Sequence, residues 1–169
     1  EWVYSKPAGL YFAKTETTLS QYEACVDAGG CDSEHHLIRS DHISCNWGYA
    51  DRADHPMNCV NWHGADQFCQ WAGGRLPTKS EWYAEASNDA SRVYAWGNRE
   101  VTSNLAIWGD TTNWRAGKES TWPVCSKVAG NSVSGLCDIS GNVWEWTSSP
   151  YGSGRNELVL RGGGWREGD

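Results

Sequence analysis

The chain has 169 residues and a formal charge of −7, which argues against the basic patches that nucleic-acid or anionic-membrane binding needs. No run approaches the ~18 apolar residues of a transmembrane segment. Leu, Ile, Val and Phe make up about 14% of the chain, a level that usually marks disorder, but 12 Trp and 7 Tyr can build a core instead, each ring burying ~150–250 Å².

The first signal along the chain is Tyr11-Phe-Ala-Lys-Thr15, which reads as a strand. Thr18-Leu-Ser-Gln21 is a capping box, with Thr18 reaching the third amide and Gln21 reaching back. Tyr22 and Val26 then share a face, and Gly29-Gly30 stops the helix. Asn61 caps a second helix in which Trp62, Ala65, Cys69 and Ala72 recur at helical spacing, with Phe68 beside them and Gly73-Gly74 at the end. Thr78-Lys-Ser-Glu81 opens a third over 79–87, with Pro77 placed to pack on Trp82. Between 97 and 142 periodicity is weak, and Gly, Asn, Ser and Trp predict long loops held by ions, bridges or aromatic plugs. Val143-Trp-Glu-Trp-Thr147 and Leu158-Val-Leu-Arg161 read as strands. Together these predict a single α+β domain over 1–169, loop-rich, with few short helices and strands.

Seven cysteines sit at 25, 31, 45, 59, 69, 125 and 137, an odd number with no Cys-x-x-Cys. The spacings suit local staples in a secreted or cell-surface protein. Several pairings of any six are open; the local loops suggest Cys25–Cys31, Cys45–Cys59 and Cys125–Cys137. The segment from Cys31 to Cys45 also carries His35, His36, Asp41 and His42, but at no common zinc-finger spacing.

Several fragments resemble the formylglycine-generating-enzyme-like (sulfatase-modifying factor) domain. They are Lys14-Thr-Glu-Thr-Thr18, His55-Pro56 leading to Val60-Asn-Trp62, Gly74-Arg-Leu-Pro-Thr78 with Glu81-Trp82, and Tyr94-Ala-Trp-Gly-Asn98. Gly135-Leu-Cys-Asp-Ile-Ser-Gly-Asn-Val-Trp-Glu-Trp146 and Arg161-Gly-Gly-Gly-Trp165 complete the order. The extra cysteines look like a cysteine-rich bacterial branch. The resemblance implies an elaborated C-type-lectin-like fold. It also implies that Cys69, whose family counterpart bridges to a later strand, has a free thiol here. Three departures accompany it. No strand is read ahead of Tyr11, Gly164 stands for the usual Ser, and Arg166, Glu167, Gly168 and Asp169 occupy the stretch where catalytic members carry two copper-binding cysteines.

The strongest candidate site is the segment from Asp138 to Glu145. Asp138 and Glu145 offer carboxylates, and Gly141 and Val143 offer carbonyls across a Gly-Asn turn, the oxygen-rich set that Ca²⁺ prefers. The resemblance implies calcium at these four positions; the plainer alternative is a turn with capping acids. A second calcium set maps loosely to Asn104, Leu105 and Asp110. Trp62, Trp71, Trp82, Trp96, Trp144 and Trp146 fall in the motifs and are expected in the core. Trp47, Trp108, Trp114 and Trp122 lie in irregular chain, either as plugs or as an exposed face for a protein or glycan ligand.

The functional expectation is a non-catalytic extracellular binding or assembly module, calcium-stabilised and disulfide-stapled, with no copper. Another chain is expected to complete the edge of its fold. The alternative is a copper-dependent formylglycine-generating oxidase whose active-site cysteines lie in a further C-terminal segment.

Overall fold

The computed structural model describes residues 1–33, 44–109, 120–152 and 157–166. His35, His36, Asp41, His42, Asp110 and Trp114 lie outside them.

Strands β1 (Trp2–Ser5) and β2 (Leu10–Ala13) form an antiparallel hairpin, with Trp2 opposite Ala13 and Ser5 opposite Leu10. β1 corrects the sequence reading, which places no strand ahead of Tyr11. Gly9, at φ +70°, closes the turn and donates its N–H to Ser5 O at 2.8 Å.

Helix α1 (Leu19–Asp27) carries the expected capping box: Gln21 N–H donates to Thr18 Oγ1 at 3.2 Å, and Thr18 N–H to Gln21 Oε1 at 3.1 Å. It buries Leu19, Tyr22 and Cys25. Helix α2 (Trp62–Trp71) starts where Asn61 Oδ1 accepts from Gly64 N–H at 3.0 Å. Helix α3 (Lys79–Ser87) has its own Thr78/Glu81 box, and Asn88 ends it in the left-handed region at φ 47°. Arg75 grips the Glu81 carboxylate with two nitrogens, at 2.7 and 2.8 Å, and that bond leads the pull of Glu81 down to about 2.

Strands β3 (Glu145–Pro150) and β4 (Leu158–Arg161) make a second antiparallel pair, with Glu145 opposite Arg161 and a register shift between Trp146 and Pro150. β3 begins two residues later than the sequence suggests and runs on to Pro150. Its ties are to the helices: Trp62 Nε1 donates to Thr147 O, and Ser148 N–H donates to Pro77 O.

Three apolar clusters make the core. One gathers the buried face of α1 with Met57 and Phe68; one joins Trp82, Ala86, Leu136 and Ile139; one packs Trp96 with Leu105 and Ala106. Disulfides Cys25–Cys31, Cys45–Cys59 and Cys125–Cys137 staple three loops, and Cys69 is a free thiol.

The tryptophans divide differently from the sequence expectation. Trp82 and Trp96 are buried, and Trp62 and Trp146 are half-buried with their indole N–H groups on backbone carbonyls. Trp71 and Trp144 are exposed by 44% and 46%. Trp71 sits on the last turn of α2 and Trp144 just ahead of β3, and both border an open groove rather than the core. Trp47, Trp108 and Trp122 are plugs, not an exposed face. Trp47 meets Tyr22 edge-on, Trp108 packs on the Trp96 cluster, and Trp122 lies under Lys127 Nζ at 4.3 Å.

Candidate functional site

The Asp138–Glu145 segment turns through three left-handed residues, Asp138 at φ 57°, Gly141 at 102° and Asn142 at 59°. Gly141 is required twice over: beyond its φ, a Cβ there would lie 2.6 Å from Ile107 O. Asn142 is fully buried and serves as the hub. Its N–H donates to Ile107 O, and its carbonyl accepts from Trp165 N–H. Its side-chain amide donates to Glu16 Oε2 at 2.7 Å and accepts from Trp122 N–H at 3.0 Å.

Glu16 is the residue the sequence reading misses. It is buried at the exit of the first hairpin and also accepts from Val143 N–H at 3.1 Å. Asp138 Oδ2 accepts from Cys125 N–H at 2.6 Å, beside the Cys125–Cys137 bridge. Glu145 accepts from the Trp82 indole N–H. All three carboxyls are pushed up by burial. Asp138 and Glu145 raise Glu16 further, and Glu145 stands at about 7 through burial first and the Asp138 charge second. Among the described residues, hydrogen bonds alone oppose these shifts, and no basic side chain does.

The backbone of Gly162, φ +100°, closes on both ends of this segment. A methyl there would sit 3.5 Å from both Ile139 O and Val143 O and 3.9 Å from Glu145 Cγ. Two backbone carbonyls and the Glu145 Cγ thus lie around one point, while Glu145 Oε2 accepts from the Trp82 indole and the Asp138 charge acts on that carboxyl. Carboxylates alone do not suffice: no group of three or more His, Cys, Asp or Glu is placed to hold a metal among the described residues. Backbone oxygens would supply the rest, as hard cations allow. Of the four expected positions, Val143 and Glu145 reach this point, Asp138 acts on it electrostatically, and the geometry of Gly141 is that of a packing contact. Two members of the second set can be placed. Asn104 is exposed, the Leu105 carbonyl faces Gly130 so closely that a Cβ would fall 1.7 Å from it, and Asp110 lies outside the described residues.

The larger feature is the groove itself. It has a volume of about 1080 Å³ and runs between β2, the faces of α1 and α2, and the start of β3. Cys69 lines it, half-buried, with its thiol pushed up to about 11 by burial and then by Asp66. Such a thiol is protonated at neutral pH and is a poor nucleophile or metal ligand.

Residues 5–168 match the sulfatase-modifying factor enzyme 1-like domain. The chain is 36% identical over 126 residues to a Mus musculus protein named inactive C-alpha-formylglycine-generating enzyme 2, across 70% of this chain and 40% of the relative. It is also 36% identical over 107 residues to the formylglycine-generating enzyme of Mycobacterium tuberculosis, across 60% of this chain and 36% of that one. The solved structure of CarF superposes with a TM-score of 0.64 at 21% identity, covering 92% of this chain and 74% of CarF. The chain spans less than half the length of these curated relatives.

Proposed function

From a chain that belongs to the sulfatase-modifying factor enzyme 1-like family, we propose a non-catalytic extracellular binding or assembly module on a disulfide-stapled scaffold stabilised by calcium. One observation carries the reading: six of the seven cysteines are closed in bridges, and only Cys69 is left as a thiol. Cu(I) selects soft thiolates, and these seven offer no free pair. Similarity to an enzyme does not weigh against this, because identity to the relative named inactive is the same 36% as to the enzyme.

Calcium supports the scaffold by neutralising the Glu16, Asp138 and Glu145 carboxylates. Val143 O, Ile139 O and Glu145 are the groups that would hold it, and Asn142 and Trp82 orient the acids around them. Three disulfides fit an oxidising compartment. No described helix is long and apolar enough to cross a membrane. The deciding assay incubates the chain with Cu(I), oxygen and a Cys-x-Pro-x-Arg peptide. No aldehyde is expected; turnover above a copper-only control, lost on Cys69→Ser, would overturn the reading.

A further inference from the structure

The Cys125–Cys137 bridge is built into the acid loop. Cys137 immediately precedes Asp138, whose carboxylate accepts from Cys125 N–H at 2.6 Å, so a covalent bond and a hydrogen bond join the same two segments. Just upstream, Trp122 makes a two-way pair with Asn142: its N–H donates to Asn142 Oδ1 at 3.0 Å, and its carbonyl accepts from Asn142 Nδ2 at 3.2 Å. On the other side, Cys137 N–H donates to Lys14 O at 2.8 Å, close ahead of Glu16. Cys125 at φ 62° and Asp138 at φ 57° both hold left-handed conformations, which cost a non-Gly residue energy and persist only under constraint. The bridge supplies that constraint.

The two sulfurs have different surroundings. Cys137 is 3% exposed, whereas Cys125 is half-buried between the exposed Pro123 and Ser126. An attacking thiolate therefore meets Cys125 Sγ, and Cys137 is the leaving group. Asn131 Nδ2 donates to Cys137 Sγ at 3.5 Å, and an N–H on the departing sulfur favours its exit. Oδ1 of the same amide is buried without a hydrogen-bond partner among the described residues. A disulfide has no hydrogen to give it; a Cys137 thiol has one, once the amide turns. Asn131 thus suits the reduced site better than the oxidised one. The Cys25–Cys31 bridge is the contrast, with Cys25 at 0% and Cys31 at 9% exposed.

We propose that Cys125–Cys137 is a thiol-exchange site at which a small-molecule thiol of the glutathione class unlocks the Asp138–Glu145 loop. The thiolate attacks Cys125 Sγ, the S–S bond breaks, and its electron pair leaves on Cys137 Sγ, which takes a proton from solvent. Cys125 then carries the small thiol as a mixed disulfide. A second thiolate removes it as the symmetric disulfide, and Cys125 takes a proton in turn. Two small thiols are oxidised as one bridge is reduced. Without the bridge, Cys125 and Asp138 relax from their left-handed conformations, and the hydrogen bonds from Cys125 and Trp122 to the loop weaken. The step goes beyond the module reading and needs neither calcium nor copper.

The test equilibrates the intact chain with graded mixtures of reduced and oxidised glutathione, in chelator, followed by alkylation, peptide mass spectrometry and amide hydrogen exchange. Cys125–Cys137 should open under less reducing conditions than Cys25–Cys31, with the glutathione adduct on Cys125. Hydrogen exchange at the Asn142 and Val143 amides, which donate to Ile107 O and Glu16, should then quicken about tenfold. The Gln21 amide, which donates to Thr18 Oγ1, should not change. In Asn131→Ala the half-opening ratio [GSH]²/[GSSG] should rise about tenfold, roughly the worth of one buried hydrogen bond, with the Cys25–Cys31 midpoint unmoved. A variant with both Cys125→Ser and Cys137→Ser should show the fast loop exchange with no thiol added; if it does not fold, the titration of the parent decides. Earlier opening of Cys25–Cys31, an adduct on Cys137, unaltered loop exchange in the opened chain, or an unmoved midpoint in Asn131→Ala each overturns the proposal. Aldehyde formation would remove the module reading and leave this one standing.

Discussion

Around Asn142 nearly every polar atom is committed, whereas the groove beside α2 is rimmed by four large exposed rings, Trp2, Tyr11, Trp71 and Trp144. Both regions draw on aromatic motif residues, and Glu16 and Glu145 line the groove as well as the loop. The difference lies in what closes each one. The Asp138–Glu145 loop is closed from within: a disulfide holds one end, Ile107 and Trp165 hold the backbone, and three acids converge with no base between them. The groove has walls from α1, α2 and two hairpins, but nothing among the described residues fills it. A closed loop with excess negative charge suits a small cation.

The contrast can be broken most sharply at Gly141. Gly141→Ala places a Cβ 2.6 Å from Ile107 O at a φ of +102°, so strain and overlap together should cost about 3 kcal/mol or more in denaturant unfolding. A loss under about 1 kcal/mol would mean that the loop is not closed as described. Next comes pH. Glu145 rises from 4.5 to about 7, with Glu16 and Asp138 also raised. The folded chain therefore keeps protons that the unfolded chain has released. In chelator, stability should fall as pH rises from about 4.5 to about 7, by on the order of 3 kcal/mol for Glu145. Glu145→Gln should flatten that slope; a slope of the opposite sign would argue against the buried acid cluster. The smallest effect belongs to the groove. Trp71→Ala, at a ring 44% exposed, should change stability by only about 1 kcal/mol in the same unfolding assay, because the ring packs on Gly30 and Phe68 from the surface and not within the core.

What could be read from sequence follows the range of the interactions. The caps at Thr18, Asn61 and Thr78 are set within four residues, and all three form. The disulfides close short loops, and their pairing follows the spacing. β1 was legible in principle, since Trp2-Val-Tyr-Ser5 alternates exposed rings with inward Val3 and Ser5 ahead of a Pro-Ala-Gly turn. Reading strands only from Tyr11 omits it. Glu16 was not legible, because its partner Asn142 lies 126 residues away and no local pattern marks an acid that must be buried. Trp71 and Trp144 mislead for the opposite reason: helical spacing and motif membership place them on the right elements, but tertiary packing alone decides whether a ring faces core or groove.

The most direct measurement is thermal melting of the intact chain with and without a calcium chelator, in parallel with Asp138→Ala. The account predicts that chelation lowers the melting temperature of the parent and leaves the variant unmoved, since the variant has lost part of the charge that holds the ion. Melting of the parent that does not respond to chelator, with no calcium uptake by calorimetry, would contradict it and leave the loop as a plain turn with buried acids.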